Sequence, residues 1–165
     1  MSTYETAMSL GEVHRVLEAI AETGARFWLE GGWGVDALAG RQTRPHRDLD
    51  IDLEAAFESE AVEALRGLGY EIETDWRPNR VELAARGLGW VDLHPLLLAA
   101  DGSARQAALG GGFHEFPASY FTTGSLNGRL VPCVSAEAQR AFHEGYELGP
   151  KDHHDLRVLS GDLGL

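Results

Sequence analysis

The sequence has little cysteine, few basic residues and no long apolar run, and each shortage excludes a class of protein. The single cysteine, Cys133, allows no intrachain disulfide, so we expect a reducing, cytoplasmic setting. With 14 basic against 26 acidic residues the net charge is −12, which argues against a nucleic-acid partner, because such binding depends on clustered basic side chains. No apolar run is long enough to cross a bilayer, and the N-terminus lacks the basic start and continuous apolar segment of a signal peptide, so we expect no membrane association.

The acidic residues, in contrast, are concentrated in one place. The segment HRDLDID, residues 46–52, carries Asp48, Asp50 and Asp52 at alternate positions with apolar residues between them. On a β-strand, alternate side chains share a face and lie roughly 6.6–6.8 Å apart. Two like charges about 6 Å apart repel by roughly 3 kcal/mol at an effective dielectric constant of about 20. The pattern predicts a strand with an apolar face on the core, an acidic face on a cleft, and a function or a cation that compensates the repulsion.

Helices and strands are mixed along the chain without a regular alternation, which is typical of an α+β fold with a mixed β-sheet. The chain has no repeat and no clear linker, so we expect a single domain over residues 1–165. Residues 99–128 are rich in glycine, alanine and serine and are expected to form loops or short strands. Periodicity and capping signals predict helices over residues 9–23, 31–40, 58–69, 135–148 and 150–161. Strands are predicted over residues 26–30, 48–53, 70–76, 80–86, 89–98 and 129–134.

Two adjacent glycines, Gly31 and Gly32, follow the first predicted strand and open a helix. Without side chains, the backbone there allows an anion to approach the free N–H groups of the helix N-terminus. The pattern is neither a Walker P-loop nor GxGxxG, so neither of those phosphate sites is predicted. A tight strand-to-helix turn is the alternative explanation of the two glycines.

The acidic segment has three interpretations. An EF-hand calcium loop fails, because its sixth position would be Leu53 instead of glycine and its twelfth Ser59 instead of glutamate. An exposed acidic edge strand conflicts with the apolar face of the segment. The third interpretation is a divalent-metal site, in which two metals share carboxylates and hold a triphosphate for in-line displacement. Such a site needs a third acid, and Asp92 is the candidate, because an unpaired carboxylate in an apolar strand is costly.

Together these motifs resemble the nucleotidyltransferase superfamily that includes DNA polymerase β and the antibiotic-modifying nucleotidyltransferases. The chain is most similar to the small lincosamide nucleotidyltransferases over about residues 10–160, through GGWGVD, HRD-DID, VDLHP, DGS, EAQ-FH-GY and a final DH-D. Aminoglycoside 2''-nucleotidyltransferases share a weaker version of the first half. The resemblance implies the nucleotidyltransferase fold, in which helices flank a mixed β-sheet.

The resemblance also implies an activity. It is the Mg²⁺-dependent transfer of a nucleoside monophosphate, AMP in particular, from ATP or another NTP to a hydroxyl of a small-molecule antibiotic, with release of pyrophosphate. A lincosamide is the first choice of acceptor. By the same resemblance, the enzyme is a homodimer whose partner subunit helps to complete the pocket.

Carried over by motif, Asp48 and Asp50 hold two Mg²⁺ ions, and Asp92 holds one of them and acts as base on the acceptor hydroxyl. Asp52 is interpreted as a structural partner beside this pair. Gly31 and Gly32 receive the β- and γ-phosphates. Three further residues flank the acidic strand and offset phosphate charge: Arg44, His46 and Arg47.

Other acceptors and other roles stay open at this point. The same chemistry on an aminoglycoside, a metabolite or a protein side chain is an alternative. A nucleotide- or drug-binding module without turnover is another, although the presence of all three acids counts against it. Several side chains have two interpretations each: the four tryptophans (stacking or burial), Glu82 (cleft or arginine partner), and Asp152, His153 and Asp155 (zinc, or contact with a substrate or partner subunit). Tyr120 and Phe121 are candidates for the acceptor pocket, and Cys133 is expected to be a packed thiol.

Overall fold

The structure, a computed structural model, describes residues 7–161, so the ends of the predicted span 1–165 lie outside the described residues. These residues form a mixed β-sheet with helices packed against it, as the motifs predicted. The strands are Phe27–Glu30 (β1), Asp48–Glu54 (β2), Glu71–Trp76 (β3), Arg80–Ala85 (β4), Gly89–Leu98 (β5), Ala104–Ala107 (β6), Phe113–Phe116 (β7), Phe121–Leu126 (β8) and Arg129–Val134 (β9).

The helices begin at recognisable signals in the sequence. Ser9 caps α1 by accepting from the Glu12 N–H at 3.0 Å, and Ser135 caps α4 by accepting from the Ala138 N–H at 3.2 Å. No described helix is both long and apolar enough to cross a membrane. The helices are Leu10–Glu22 (α1), Gly31–Ala39 (α2), Glu58–Gly67 (α3), Ala136–Phe142 (α4) and Pro150–Leu159 (α5).

The order of strands in the sheet is β3-β4-β5-β2-β1-β9-β8, with β6 paired to β5 and β7 paired to β6. β2 runs parallel to β5 and antiparallel to β1, so β2 lies between two strands that also carry acidic residues. In this register Asp50 lies opposite Asp92 on β5 and opposite Glu30 on β1. Three strands that are distant in sequence therefore bring their polar residues to one place.

The apolar face of β2 packs into the core, as its alternation predicted. Leu49, Ile51 and Leu53 have no exposed surface. Burying each of these side chains contributes about 1.5–3 kcal/mol to folding. The acidic face of the same strand is thereby turned to the opposite side of the sheet.

One stretch differs from the sequence expectations, and another decides between the two alternatives that the sequence left open. The helix predicted over 135–148 ends at Phe142, and Gly145 in the following turn adopts a φ of +86° that lies outside helical geometry. In residues 99–128, the expected loops or short strands are three strands, β6, β7 and β8. Gly110, Gly111 and Gly112 form the turn between β6 and β7, each with a positive φ.

Candidate active site

Acidic residues of β2 and β5 converge on His94. Asp50 lies opposite Asp92, and His94 is two residues further along β5 on the same face. His94 Nε2 is 3.7 Å from both Asp50 Oδ1 and Asp92 Oδ2. One ligand atom from each of the three residues lies within 4.8 Å of the others. We call this group of Asp50, Asp92 and His94 the acid centre.

Asp92 is held by an arginine from the neighbouring strand. Arg80 Nη1 donates to Asp92 Oδ2 at 2.8 Å, whereas Asp92 Oδ1 is buried without a hydrogen-bond partner among residues 7–161. Burial raises the pKa of Asp92 to about 6, although the cations His94 and Arg80 act in the opposite direction. The carboxyl is therefore ionised at neutral pH, with one oxygen able to accept a proton from a nearby hydroxyl.

His94 carries positive charge into the acid centre. Burial by itself would lower its pKa, but the carboxylates of Glu30, Asp50 and Asp92 outweigh burial and raise the pKa of His94 to about 9. Gln106 Nε2 lies 3.3 Å from the other ring nitrogen, Nδ1. The sequence predictions did not include His94. The signal was present, because in VDLHP the histidine falls on the same strand face as Asp92.

Asp52 differs from its two neighbours on the strand. It is fully buried, and neither carboxylate oxygen has a hydrogen-bond partner in the described part of the chain. Burial and the negative charge of Glu30 raise the pKa of Asp52 well above its usual value. Asp52, Glu30 and His94 form a second group with ligand atoms within 4.8 Å of one another. A raised pKa favours the neutral acid, which agrees with the interpretation of Asp52 as a structural partner.

Asp48 lies at the partly exposed start of β2, two residues before Asp50 and on the same face of the strand. Arg47 binds it through Nε at 2.6 Å and Nη2 at 3.1 Å, and the same guanidinium stacks 4.7 Å above the ring of Trp90. Asp48 belongs to neither of the two groups whose ligand atoms lie within 4.8 Å. Of the three predicted metal ligands, the structure therefore brings together Asp50 and Asp92, and it pairs Asp48 with Arg47.

The two glycines form the turn from β1 into α2, directly against the acid centre. Gly31 has a φ of +63°, and a Cβ placed on it would collide with Asp50 Oδ2. A Cβ on Gly32 would collide with the ring of His46 and would lie 2.7 Å from Arg44 Nη2. The residue before α2, Glu30, makes no side-chain cap, so the helix N–H groups stay available to an anion.

The predicted cations therefore have different surroundings. Arg44 and His46 lie against Gly32, while Arg47 faces Asp48. His46 is buried, and its Nε2 lies 2.5 Å from Asp36 Oδ2 on α2. Two of the three predicted phosphate-facing side chains thus adjoin the glycine turn.

A cavity of about 630 Å³ opens beside the acid centre. Arg80 and His94, which contact Asp92, form part of its wall. Of the two candidate pocket residues, Tyr120 lines this cavity, whereas Phe121 packs on Trp28 with ring centroids 4.4 Å apart. The rest of the wall combines aromatic rings with carboxylates and includes Phe113, Phe116, Phe142, Glu30, Glu115 and Glu144.

The structure also shows the surroundings of the remaining candidate side chains. Glu82 accepts from the Thr74 hydroxyl at 3.1 Å and lies 3.8 Å from Arg80, so the arginine partner is the correct alternative. Trp33 is fully buried. The thiol of Cys133 is also buried, which raises its pKa to about 11, as expected of a packed thiol.

The DHHD segment of α5 faces the rest of the chain. Asp155 binds Arg44, His154 contacts Thr43, and Asp152 accepts from the Gly149 N–H at 2.9 Å. His153 is exposed. No group of three potential metal ligands among residues 7–161 includes any of these four, so the segment does not form a zinc site there.

The acid centre fits a hard divalent cation such as Mg²⁺. Its donors are mainly carboxylate oxygens, the ligands that Mg²⁺ prefers. Asp92 Oδ1 is buried and has no hydrogen-bond partner within the described residues, which is typical of an atom that awaits a ligand. The absence of side chains at the glycine turn lets Asp50, His46 and Arg44 approach the backbone at the start of α2 closely.

Known proteins resemble this chain along almost its whole length. The sequence profile of the aminoglycoside-2''-adenylyltransferase family matches residues 12–159. A lincosamide resistance protein of Staphylococcus haemolyticus is 41% identical over 148 residues, which cover 90% of this chain and 92% of that protein. A 2''-aminoglycoside nucleotidyltransferase of Escherichia coli is 32% identical over 128 residues, or 76% of this chain and 67% of that protein.

A solved structure shows the same fold. The lincomycin-bound crystal structure of the lincosamide antibiotic adenylyltransferase LnuA superposes with a TM-score of 0.88 at 39% identity. The match covers 94% of this chain and 98% of that one. The chain therefore belongs to the aminoglycoside-2''-adenylyltransferase family and has the nucleotidyltransferase fold.

Proposed function

We propose that this enzyme transfers AMP from ATP to a hydroxyl of a lincosamide antibiotic and releases pyrophosphate. The observation that carries the proposal is the acid centre, which lies between the glycine turn and an aromatic, acidic cavity. Nucleotidyl transfer follows from the family, whose members use an NTP and typically a divalent metal. The lincosamide acceptor is supported by the 41% identical lincosamide resistance protein and by the lincomycin-bound structure of LnuA.

Asp48, Asp50 and Asp92 are the residues that would hold two Mg²⁺ ions. Bound Mg²⁺ neutralises the charge of the triphosphate and of the leaving pyrophosphate. Asp92 Oδ1, buried and without a partner among the described residues, accepts the proton of the acceptor hydroxyl. The acceptor oxygen then bonds to the α-phosphorus as the bond from that phosphorus to pyrophosphate breaks. Arg80 keeps the Asp92 carboxylate in place from the opposite side.

The glycine turn binds the β- and γ-phosphates. The open N–H groups at the start of α2 and its positive dipole end favour an anion there. Arg44 and His46, which lie against Gly32, offset part of the phosphate charge. Arg47 contributes from the outer end of β2, where it now pairs with Asp48.

The cavity beside the acid centre binds the acceptor. Its aromatic rings suit a ligand with an apolar part, and its three carboxylates suit a ligand that carries an amine cation. The carboxylates alone would also suit a polycationic aminoglycoside, and the 32% identical relative is named for that class. The aminoglycoside is therefore the second candidate acceptor.

We also propose that the enzyme is a cytoplasmic homodimer. Phe113 is 46% exposed and lines the cavity, so a second subunit could cover it and complete the pocket wall. Light scattering after gel filtration should give twice the chain mass of 18.0 kDa. A monomer at the working concentration would contradict this part of the proposal.

Release of pyrophosphate is the first assay of the proposed function. Purified enzyme with Mg²⁺ and ATP should release pyrophosphate when lincomycin or clindamycin is added. Release with aminoglycosides alone would favour the second candidate acceptor. Tight ATP binding without release in the presence of any acceptor would identify a binding module that lacks turnover.

A further inference from the structure

Helix α5 holds the loop that follows α2, although the two are far apart in sequence. Arg44 donates to both carboxylate oxygens of Asp155, from Nε at 2.9 Å and from Nη2 at 2.8 Å. His154 Nε2 lies 2.9 Å from the hydroxyl oxygen of Thr43. We call these four residues, Thr43, Arg44, His154 and Asp155, the α5 clamp.

The buried carboxylate of Asp36 holds the same loop from the side of α2. It accepts from the Thr43 hydroxyl, from the Thr43 N–H at 2.9 Å and from His46 Nε2 at 2.5 Å. Because the Thr43 hydroxyl donates its single hydrogen to Asp36, it accepts from the N–H of His154. The loop is thus held by polar contacts from both α2 and α5, most of them partly buried.

The clamp directs Arg44 at the glycine turn. A Cβ on Gly32 would lie 2.7 Å from Arg44 Nη2. A guanidinium has five N–H donors, and three are used here, two by Asp155 and one by the Pro45 carbonyl at 3.1 Å. Among the described contacts of Arg44, this leaves one donor on Nη1 and one on Nη2, the nitrogen closest to Gly32.

We propose that Asp155 is a positioning residue for the nucleotide, because its paired hydrogen bonds fix the Arg44 guanidinium where the free donors meet the triphosphate. The inference rests on the proposed function, which puts the phosphates at the glycine turn. A freely rotating arginine would lose side-chain entropy on binding a phosphate, and the clamp removes that loss in advance. Asp155 is buried, so its carboxylate is positioned by the fold itself.

The two possible roles of Asp155, positioning Arg44 and repelling phosphate, predict opposite effects of its substitution on ATP binding. If the negative charge of Asp155 only repelled phosphate, Asp155→Asn would bind ATP more tightly. If Asp155 positions Arg44, the same change weakens binding although the net charge becomes more favourable. The sign of the change therefore separates the two explanations.

The test is the dissociation constant of Mg²⁺-ATP, measured by titration calorimetry on the full chain. Asp155→Asn should weaken binding about tenfold, as expected for the loss of a charge-assisted hydrogen bond. Arg44→Lys keeps the charge but cannot make the paired contact, and should weaken binding similarly. Asp152→Asn is the matched control on α5, since Asp152 bonds only Gly149, Tyr146 and His143 among the described residues, and should stay within about twofold.

The outcomes separate the clamp from the proposed function. If the unchanged enzyme does not bind Mg²⁺-ATP, both fail. If it binds ATP, and Asp155→Asn and Arg44→Lys bind as well or better, the clamp is overturned and the function stands. In turnover, the KM for ATP should rise while the KM for the acceptor stays unchanged. Thermal unfolding verifies that each variant is folded, and Arg44→Lys tests the same claim should Asp155→Asn be unstable.

Discussion

The mutual repulsion of the three aspartates of β2 is relieved in three different ways. Asp48 is paired with Arg47, Asp50 faces the positive ring of His94, and Asp52 has a pKa raised well above its usual value by burial and by Glu30. The first two are thus compensated by cations, and the third is favoured as the neutral acid. The like-charge problem posed by the sequence is solved residue by residue, and Asp50 is the one left facing both the glycine turn and Asp92.

Asp92→Asn should abolish turnover and spare much of the nucleotide binding, because the amide cannot accept the proton of the acceptor hydroxyl. Loss of a general base lowers kcat by about 10²–10⁴-fold. The measurement is kcat for a lincosamide, together with the dissociation constant of Mg²⁺-ATP. A variant with near wild-type kcat would remove Asp92 from the proposed chemistry.

Asp48→Asn and Asp50→Asn should each remove activity while leaving the fold intact without metal. The fall in like-charge repulsion is offset by the loss of pairing with Arg47 or His94. Asp52→Asn should be milder, because the fold already favours a neutral side chain at this position. Activity and the midpoint of thermal unfolding, both measured for the three variants, test this order. A complete loss of activity in Asp52→Asn alone would show that the metal-binding pair was assigned incorrectly.

The raised pKa of Asp92 predicts a pH dependence of stability. In the folded state burial raises the pKa to about 6 from an ordinary value of 3.8. Below the lower pKa, Asp92 is protonated in both the folded and the unfolded state. Between the two pKa values only the unfolded state has lost the proton. The free energy of unfolding therefore falls as pH rises through this window. Above it, the deprotonated centre should bind Mg²⁺ more strongly.

Thermal unfolding with and without Mg²⁺ between about pH 4 and pH 8 tests this dependence. Without metal, we expect the midpoint of thermal unfolding to fall as pH rises towards 6. The increase in this midpoint on adding Mg²⁺ should become larger above pH 6. Asp92→Asn is the control: the fall in stability should become smaller, since the raised pKa of Asp52 still contributes to it, and the growth of the gain from Mg²⁺ should be lost. An equal gain from Mg²⁺ at pH 4 and at pH 8 would contradict the account.

At the scale of elements, the turn from β1 into α2 has little tolerance for change. Gly31 combines a positive φ with direct contact to Asp50, so a side chain there meets both backbone strain and a collision. This explains why two glycines are needed at that turn, whichever anion binds there.

Gly31→Ala should destabilise the protein and lower activity, by about 1 kcal/mol or more for the positive φ alone. Gly67→Ala is the matched control, because Gly67 ends α3 with nothing within 4 Å of an added Cβ. Alanine there should be neutral or stabilise the helix by up to about 1 kcal/mol. Chemical unfolding of both variants gives the comparison, and equal effects would show that neither the positive φ nor the contact with Asp50 constrains Gly31.

Elements with strong local patterns were predictable. The alternation in DLDIDL gave β2 and both of its faces, and Ser135 marked the start of α4. Phe142 as the end of α4 was missed, because the residues that follow keep a helical composition and only Gly145 marks the turn. β6 and β7 are four residues each, too short for a period of two to stand out.

At the scale of the whole molecule, the site could be predicted only in part, because its contacts are long-range. Motifs placed Asp50, Asp92 and the two glycines together through resemblance to a family. Nothing local connects Arg44 with Asp155, which are 111 residues apart, or shows that His94 completes the acid centre. These contacts depend on the parallel pairing of β2 with β5 and on the return of α5 to the glycine turn.

The measurement that tests the central claim most directly is the mass spectrum of a reaction with enzyme, Mg²⁺, ATP, lincomycin, clindamycin and several aminoglycosides. The account predicts a lincosamide heavier by one adenylyl group, formed by the wild-type enzyme and absent with Asp92→Asn. If every drug keeps its original mass, or if Asp92→Asn forms as much adenylylated lincosamide as the wild-type enzyme, the account is contradicted.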